Sequence, residues 1–136
     1  MTNSLITEFV EAIQQGTMAR ADVFADGATL DATVPNWRFE VRGATAINAE
    51  LGRWYADPGE YLELIRTEIA DGELVQLSLT WTEEGVAHRC HQAHVLKVAD
   101  GRIVSDTAYC GGRWPASLVA EMAAAQAASD EAGETA

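Results

Sequence analysis

Leu5, Ile6, Phe9, Val10 and Ile13 recur at helical spacing, with Glu8, Glu11, Gln14 and Gln15 between them. That period predicts an amphipathic first helix, capped by Asn3 or Ser4 and ended by Gly16. A short second helix is expected over residues 17–24, broken by Ala25-Asp26-Gly27. From Ala28 the period changes to two. Leu30, Ala32 and Val34 fall on one side of a strand, and Thr29, Asp31 and Thr33 on the other. Pro35-Asn36 signals a turn, residues 37–41 return as a short strand, and Gly43 opens a helix over 44–55 with Ile47, Leu51, Trp54 and Tyr55 on its apolar side. Strands are then expected over 61–69, 74–82, 87–98 and 102–110. The dipeptides Asp71-Gly72, Glu84-Gly85 and Asp100-Gly101 separate them, and each is a hairpin signal. Pro115 suits the first turn of a last helix over 116–127. The pattern predicts one α+β domain over residues 1–128, with N-terminal helices closing one face of a curved antiparallel sheet around a pocket. The small, acidic segment 129–136 is expected to be a disordered tail.

Composition narrows the partners. A net charge of −12 and a pI near 4.4 argue against nucleic acid and anionic membrane, both of which select clustered Lys and Arg. The two cysteines, Cys90 and Cys110, do not make a secreted disulfide framework. The first residues carry Glu8 and Glu11 rather than a basic start and an apolar run, so a signal peptide is not expected, and a cytoplasmic setting is. No glycine loop of the phosphate-binding kind follows a strand, so no cofactor is expected.

The hairpins fix which side chains share a face. A two-residue turn at Glu84-Gly85 sets Trp81 opposite His88, Leu79 opposite Cys90, Leu77 opposite Gln92 and Val75 opposite His94. The odd positions of the first of these strands are apolar, so this face is the buried one and carries Cys90, Gln92 and His94 inward. A two-residue Asp100-Gly101 turn sets His94 opposite Thr107. A three-residue Ala99-Asp100-Gly101 loop instead sets His94 opposite Asp106 and Cys90 opposite Cys110. An inward His94–Asp106 pair satisfies both groups, and an imidazole titrates near neutral pH, so His94 is a candidate acid or base with Asp106 as its orienting carboxylate. A metal site is not expected. His91 alternates to the opposite face, and six residues of strand separate His88 from His94, roughly 20 Å against ligand bonds of ~2 Å.

The order of elements resembles the nuclear transport factor 2-like superfamily, which includes SnoaL-like cyclases and ketosteroid isomerases. The residues that carry the resemblance are Phe24-Ala25-Asp26-Gly27-Ala28-Thr29, Arg42-Gly43-Ala44-Thr45-Ala46-Ile47 and Ala99-Asp100-Gly101-Arg102-Ile103, and it spans roughly residues 4–114 by pattern. It implies a cone-shaped half-barrel with an apolar pocket, and a homodimer packed through the outer sheet face. The isomerase residues do not carry over: the general base falls near Ala32, the oxyanion-donating Tyr near Phe9, and the second donor on His94. The last-strand Asp of limonene epoxide hydrolases falls on Ala108. Asp31 stands beside the position where many relatives place an acid, although alternation points it outward. The resemblance also sets Asp106 at an inward position. The expected ligand is a small apolar molecule, walled by Trp54, Tyr55, Leu77, Leu79, Trp81, Cys90, Gln92 and Cys110. Proton-transfer chemistry of an isomerase or cyclase is one expectation, and a non-catalytic ligand-binding or dimerisation module is the other.

Overall fold

The computed structural model describes residues 3–135; residues 1 and 2 of the expected domain and Ala136 of the expected tail lie outside them. Helix α1, Ser4–Gln15, starts where the Asn3 side chain accepts from the Leu5 N–H and ends at Gly16, whose positive φ of 71° closes the helix. Twelve residues make a marginal helix in water. Burial of Ile6, Phe9, Val10 and Ile13 holds this one against the sheet, at roughly 1.5–3 kcal/mol for each large side chain.

A short 3-10 turn over Met18–Arg20 stands where a second helix was expected. Strand β1 already begins at Phe24 and runs to Val34, pairing Phe24 with Ile103. Burial explains the difference: Met18 enters the core from the 3-10 turn, and Val23 and Phe24 enter it as the chain extends into β1. Strand β2, Trp37–Arg42, and helix α2, Ala44–Trp54, follow. Strands β3, Gly59–Ile69, β4, Gly72–Glu83, β5, Val86–Ala99, and β6, Arg102–Cys110, complete the long hairpins.

The sheet order is β2-β1-β6-β5-β4-β3, and β1 pairs β6 in parallel. The sheet is therefore mixed rather than wholly antiparallel; it is curved and does not close into a barrel. A two-residue strand β7, Trp114–Pro115, returns across β5 at His88 and Arg89. Helix α3, Ala116–Thr135, includes residues 129–135 of the segment expected as a disordered tail. Its alanines favour helix even where packing contributes little.

Two details of register depart from expectation. The β3–β4 turn is Ala70-Asp71, since Ile69 pairs Gly72. Gly72 belongs to β4, where a Cβ would lie 1.7 Å from the Leu96 carbonyl oxygen, so only glycine permits the approach. The β5–β6 turn has two residues, with Ala99 opposite Arg102, but a bulge between Lys97 and Val98 in the pairing then shifts the register. His94 consequently faces Ala108, neither Thr107 nor Asp106.

An ion pair that the sequence pattern did not signal ties α1 to the sheet. Arg66 donates to both Glu73 carboxylate oxygens at 2.8 Å, to the Asn3 carbonyl at 3.1 Å and to the Thr7 hydroxyl at 2.9 Å. Among the described residues, no helix is long and apolar enough to cross a membrane.

Candidate functional site

The bulge in β6 pairing keeps even residues of β5 and β6 on one face, so Asp106 lies diagonal to His94 rather than opposite it. Asp106 reaches the imidazole nonetheless. Its two oxygens stand 2.9 and 3.0 Å from His94 Nδ1. His94 is 0% exposed and Asp106 1%. Phe9 of α1 sets its ring edge-on to the imidazole at 5.2 Å.

On the other side of the ring, Tyr55 Oη lies 2.8 Å from His94 Nε2 and hydrogen-bonds Gln92 Oε1. Gln92 in turn donates to Cys110 Sγ at 3.2 Å. The result is a continuous run, Cys110–Gln92–Tyr55–His94–Asp106, buried from Gln92 to Asp106 and drawn from α2's end and strands β5 and β6. With the Tyr55 proton committed to Gln92, the contact to His94 is made by the Nε2–H. A half-turn of the Gln92 amide reverses the run: the amide then donates to Tyr55, and Tyr55 donates to Nε2. Burial holds the Tyr55 phenol well above its usual value, so Tyr55 enters either arrangement with its proton on.

A cleft of about 320 Å³ opens beside the outer end of this run, lined by Val34, Pro35, Trp54, Trp81, Cys90, Gln92, Cys110, Gly112 and Arg113. Its volume falls at the small end of the ~300–1,000 Å³ range of small-molecule sites. Of the residues expected as walls, Trp54, Trp81, Cys90, Gln92 and Cys110 line it. Leu77 and Leu79 do not; they are core residues in the cluster that includes Phe9 and Ile13. Tyr55 sits behind the wall. The segment 111–113 contributes Gly112 and Arg113, which the sequence pattern gave no reason to place there. Cys90 and Cys110 are free thiols, and the register sets Cys110 opposite Gln92 rather than Cys90. Burial, and then the neighbouring Cys110, push the Cys90 thiol up to about 12.

Asp31 is on the outer sheet face, where Arg38 holds it through two hydrogen bonds of 3.0 and 2.7 Å. That hydrogen-bonded guanidinium lowers the carboxyl below its usual range. Asp31→Ala is therefore expected to leave the urea unfolding midpoint close to the parent's, as removal of an exposed ion pair does, which urea unfolding of the variant against the parent checks. His91 also faces outward, with Nδ1 2.7 Å from the Ser78 hydroxyl. His88 stacks on Trp81 at 5.8 Å.

The SnoaL-like domain profile matches residues 6–106. The chain belongs to the SnoaL-like family. Solved structures share its fold at low identity. A protein with a ketosteroid isomerase-like fold from Catenulispora acidiphila, solved with trimethylamine, is 15% identical, with a TM-score of 0.63 over 82% of this chain and 88% of that one. A putative polyketide cyclase from Pseudomonas putida is 13% identical, with a TM-score of 0.60 over 80% and 91%. An LEH-like epoxide hydrolase from M. tuberculosis is 16% identical, with a TM-score of 0.60 over 79% and 80%. No curated protein matches the chain. This SnoaL-like member thus shares a fold with proteins described as having a ketosteroid isomerase-like fold, as a putative polyketide cyclase and as an LEH-like epoxide hydrolase.

Proposed function

We propose that this SnoaL-like chain binds a small, largely apolar molecule in the Trp54–Trp81 cleft, and that the Gln92 amide reads the molecule's polar group. The observation that carries the reading is the placement of Gln92. It is a buried polar side chain on a mostly apolar wall, fixed from behind by Tyr55 and from the side by Cys110. A pre-oriented amide gives specificity without an ordering cost at binding. The test is titration with 2-naphthamide, a flat neutral probe, followed by tryptophan fluorescence and calorimetry. Quenching is expected, and Gln92→Leu is expected to weaken binding about tenfold. Trp81→Phe should remove part of the quench. Absent binding, or equal affinity in Gln92→Leu, overturns the reading.

A second reading, an isomerase- or cyclase-like enzyme, is favoured by the run from Gln92 to the imidazole. His94 is walled off from the cleft by Gln92 and Tyr55, so any proton it supplies or takes would pass through the Tyr55 hydroxyl once Gln92 turns aside. In that reading the protein accelerates deuterium exchange at the α-carbon of 2-tetralone, and Tyr55→Phe abolishes the acceleration. Exchange no faster than buffer overturns it, and leaves the binding reading standing if 2-naphthamide still binds.

A further inference from the structure

Arg113 is the one charged side chain on the cleft wall among the described residues. It reaches that position because the chain turns at Gly112, with φ of 126°, and then pairs β7 back onto β5. Its guanidinium lies over the Trp81 ring, 5.1 Å from the ring centroid, and Nη2 pairs with Glu83. The pair is open to water, with side chains 44% and 32% exposed, so exchanging its partner costs little. Glu83 is not stranded by the exchange, since it also accepts the Trp81 indole N–H at 2.8 Å. Both bidentate edges of a guanidinium include Nη2, the atom paired with Glu83, so a ligand carboxylate that takes the place of Glu83 can be held by two parallel N–H donors. The cleft is thus graded: a neutral amide at its buried end, tryptophan walls, and a cation at its solvent end.

Building on the binding reading above, we propose that the cleft selects an apolar molecule bearing a carboxylate, with the carboxylate taken by Arg113 at the mouth and the apolar body seated against Trp54 and Trp81. Arg113 is then the specificity-determining residue for ligand charge.

The experiment compares three probes with one ring system: 2-naphthoate, 2-naphthamide and 2-naphthylmethylamine, titrated by calorimetry at low salt into the full chain and into Arg113→Gln and Arg113→Lys. The parent is expected to bind the acid about tenfold more tightly than the amide. Arg113→Gln should bring that ratio near one, with the unfolding midpoint retained, and Arg113→Lys should keep part of it. Added salt should weaken the acid and spare the amide. A preference for the amine, which would point to Glu83 as the reading group, overturns the proposal. So does an acid-to-amide ratio that survives Arg113→Gln. Binding of none of the three overturns the cleft reading itself, and that result is distinct from equal binding of acid and amide, which overturns only the carboxylate.

Discussion

Asp106→Ala is expected to destabilise the protein by about 3–5 kcal/mol, because it removes one partner of a buried pair and leaves the other. The environment makes the effect large. His94 is 0% exposed, faces a phenyl edge from Phe9, and finds its only Nδ1 partner among the described residues in Asp106. No water reaches the ring to replace the carboxylate. A domain of this size has roughly 5–15 kcal/mol in total, so the variant should be partly unfolded or close to it. Asp106→Asn keeps an acceptor of the same shape for an Nδ1–H and should cost about 1–2 kcal/mol. The double variant His94→Leu, Asp106→Leu removes both polar groups and should recover most of the loss, since replacing a buried pair is far less costly than breaking it. Urea unfolding with an unchanged m-value reads all three. Asp106→Ala within about 1 kcal/mol of the parent would show that the pair does not hold the core together.

The same pair shows how far the sequence could be read. Alternation in β4 and the Glu84-Gly85 turn were enough to set Cys90, Gln92 and His94 on the inner face, because a one-residue slip would have exposed every apolar residue of β4. Asp106 was brought inward by the family resemblance, through a register that does not occur. The observed two-residue turn and the bulge beyond it jointly produce the same inward face, and nothing local in Val98-Ala99-Asp100-Gly101-Arg102 marks a bulge that lies outside the turn. Tyr55 was assigned to the cleft wall because it shares the apolar side of α2; its hydroxyl instead stands behind that wall, and only three-dimensional packing of α2's end against β5 reveals the run it completes. Arg113 and Gly112 were invisible for a related reason. They follow the last long strand, where periodicity stops, and they gain their place from β7, whose two residues are too few to leave a pattern.

The second large effect is alkaline. Three acids, Tyr55, Tyr61 and Cys90, lie close together on the inner side of the sheet, and burial raises each of them: Tyr55 and Tyr61 well above their usual value, Cys90 to about 12. Tyr61 donates to the Val10 carbonyl of α1 at 2.6 Å, so its proton also fastens the helix. In the unfolded chain these groups ionise near 10 for tyrosine and 9 for cysteine. The folded protein therefore binds more protons than the unfolded one from about pH 9 upward, and stability falls as pH rises through that window. The contribution is fully present below pH 9 and is lost progressively toward the folded-state values. Each group costs about 1.4 kcal/mol per pH unit once the unfolded form is ionised, so the three together should remove on the order of 5 kcal/mol between pH 8 and pH 11. Urea midpoints across that range measure it. Tyr61→Phe, Tyr55→Phe and Cys90→Ala each delete one titrating group, and each should flatten the slope by up to one proton, even where the variant is less stable at pH 8. Slopes that are identical in parent and variants would mean that the alkaline loss belongs to other groups. A flattening confined to Cys90→Ala would assign it to the thiol beneath the cleft rather than to the phenols that tie α1 to the sheet and the end of α2 to His94.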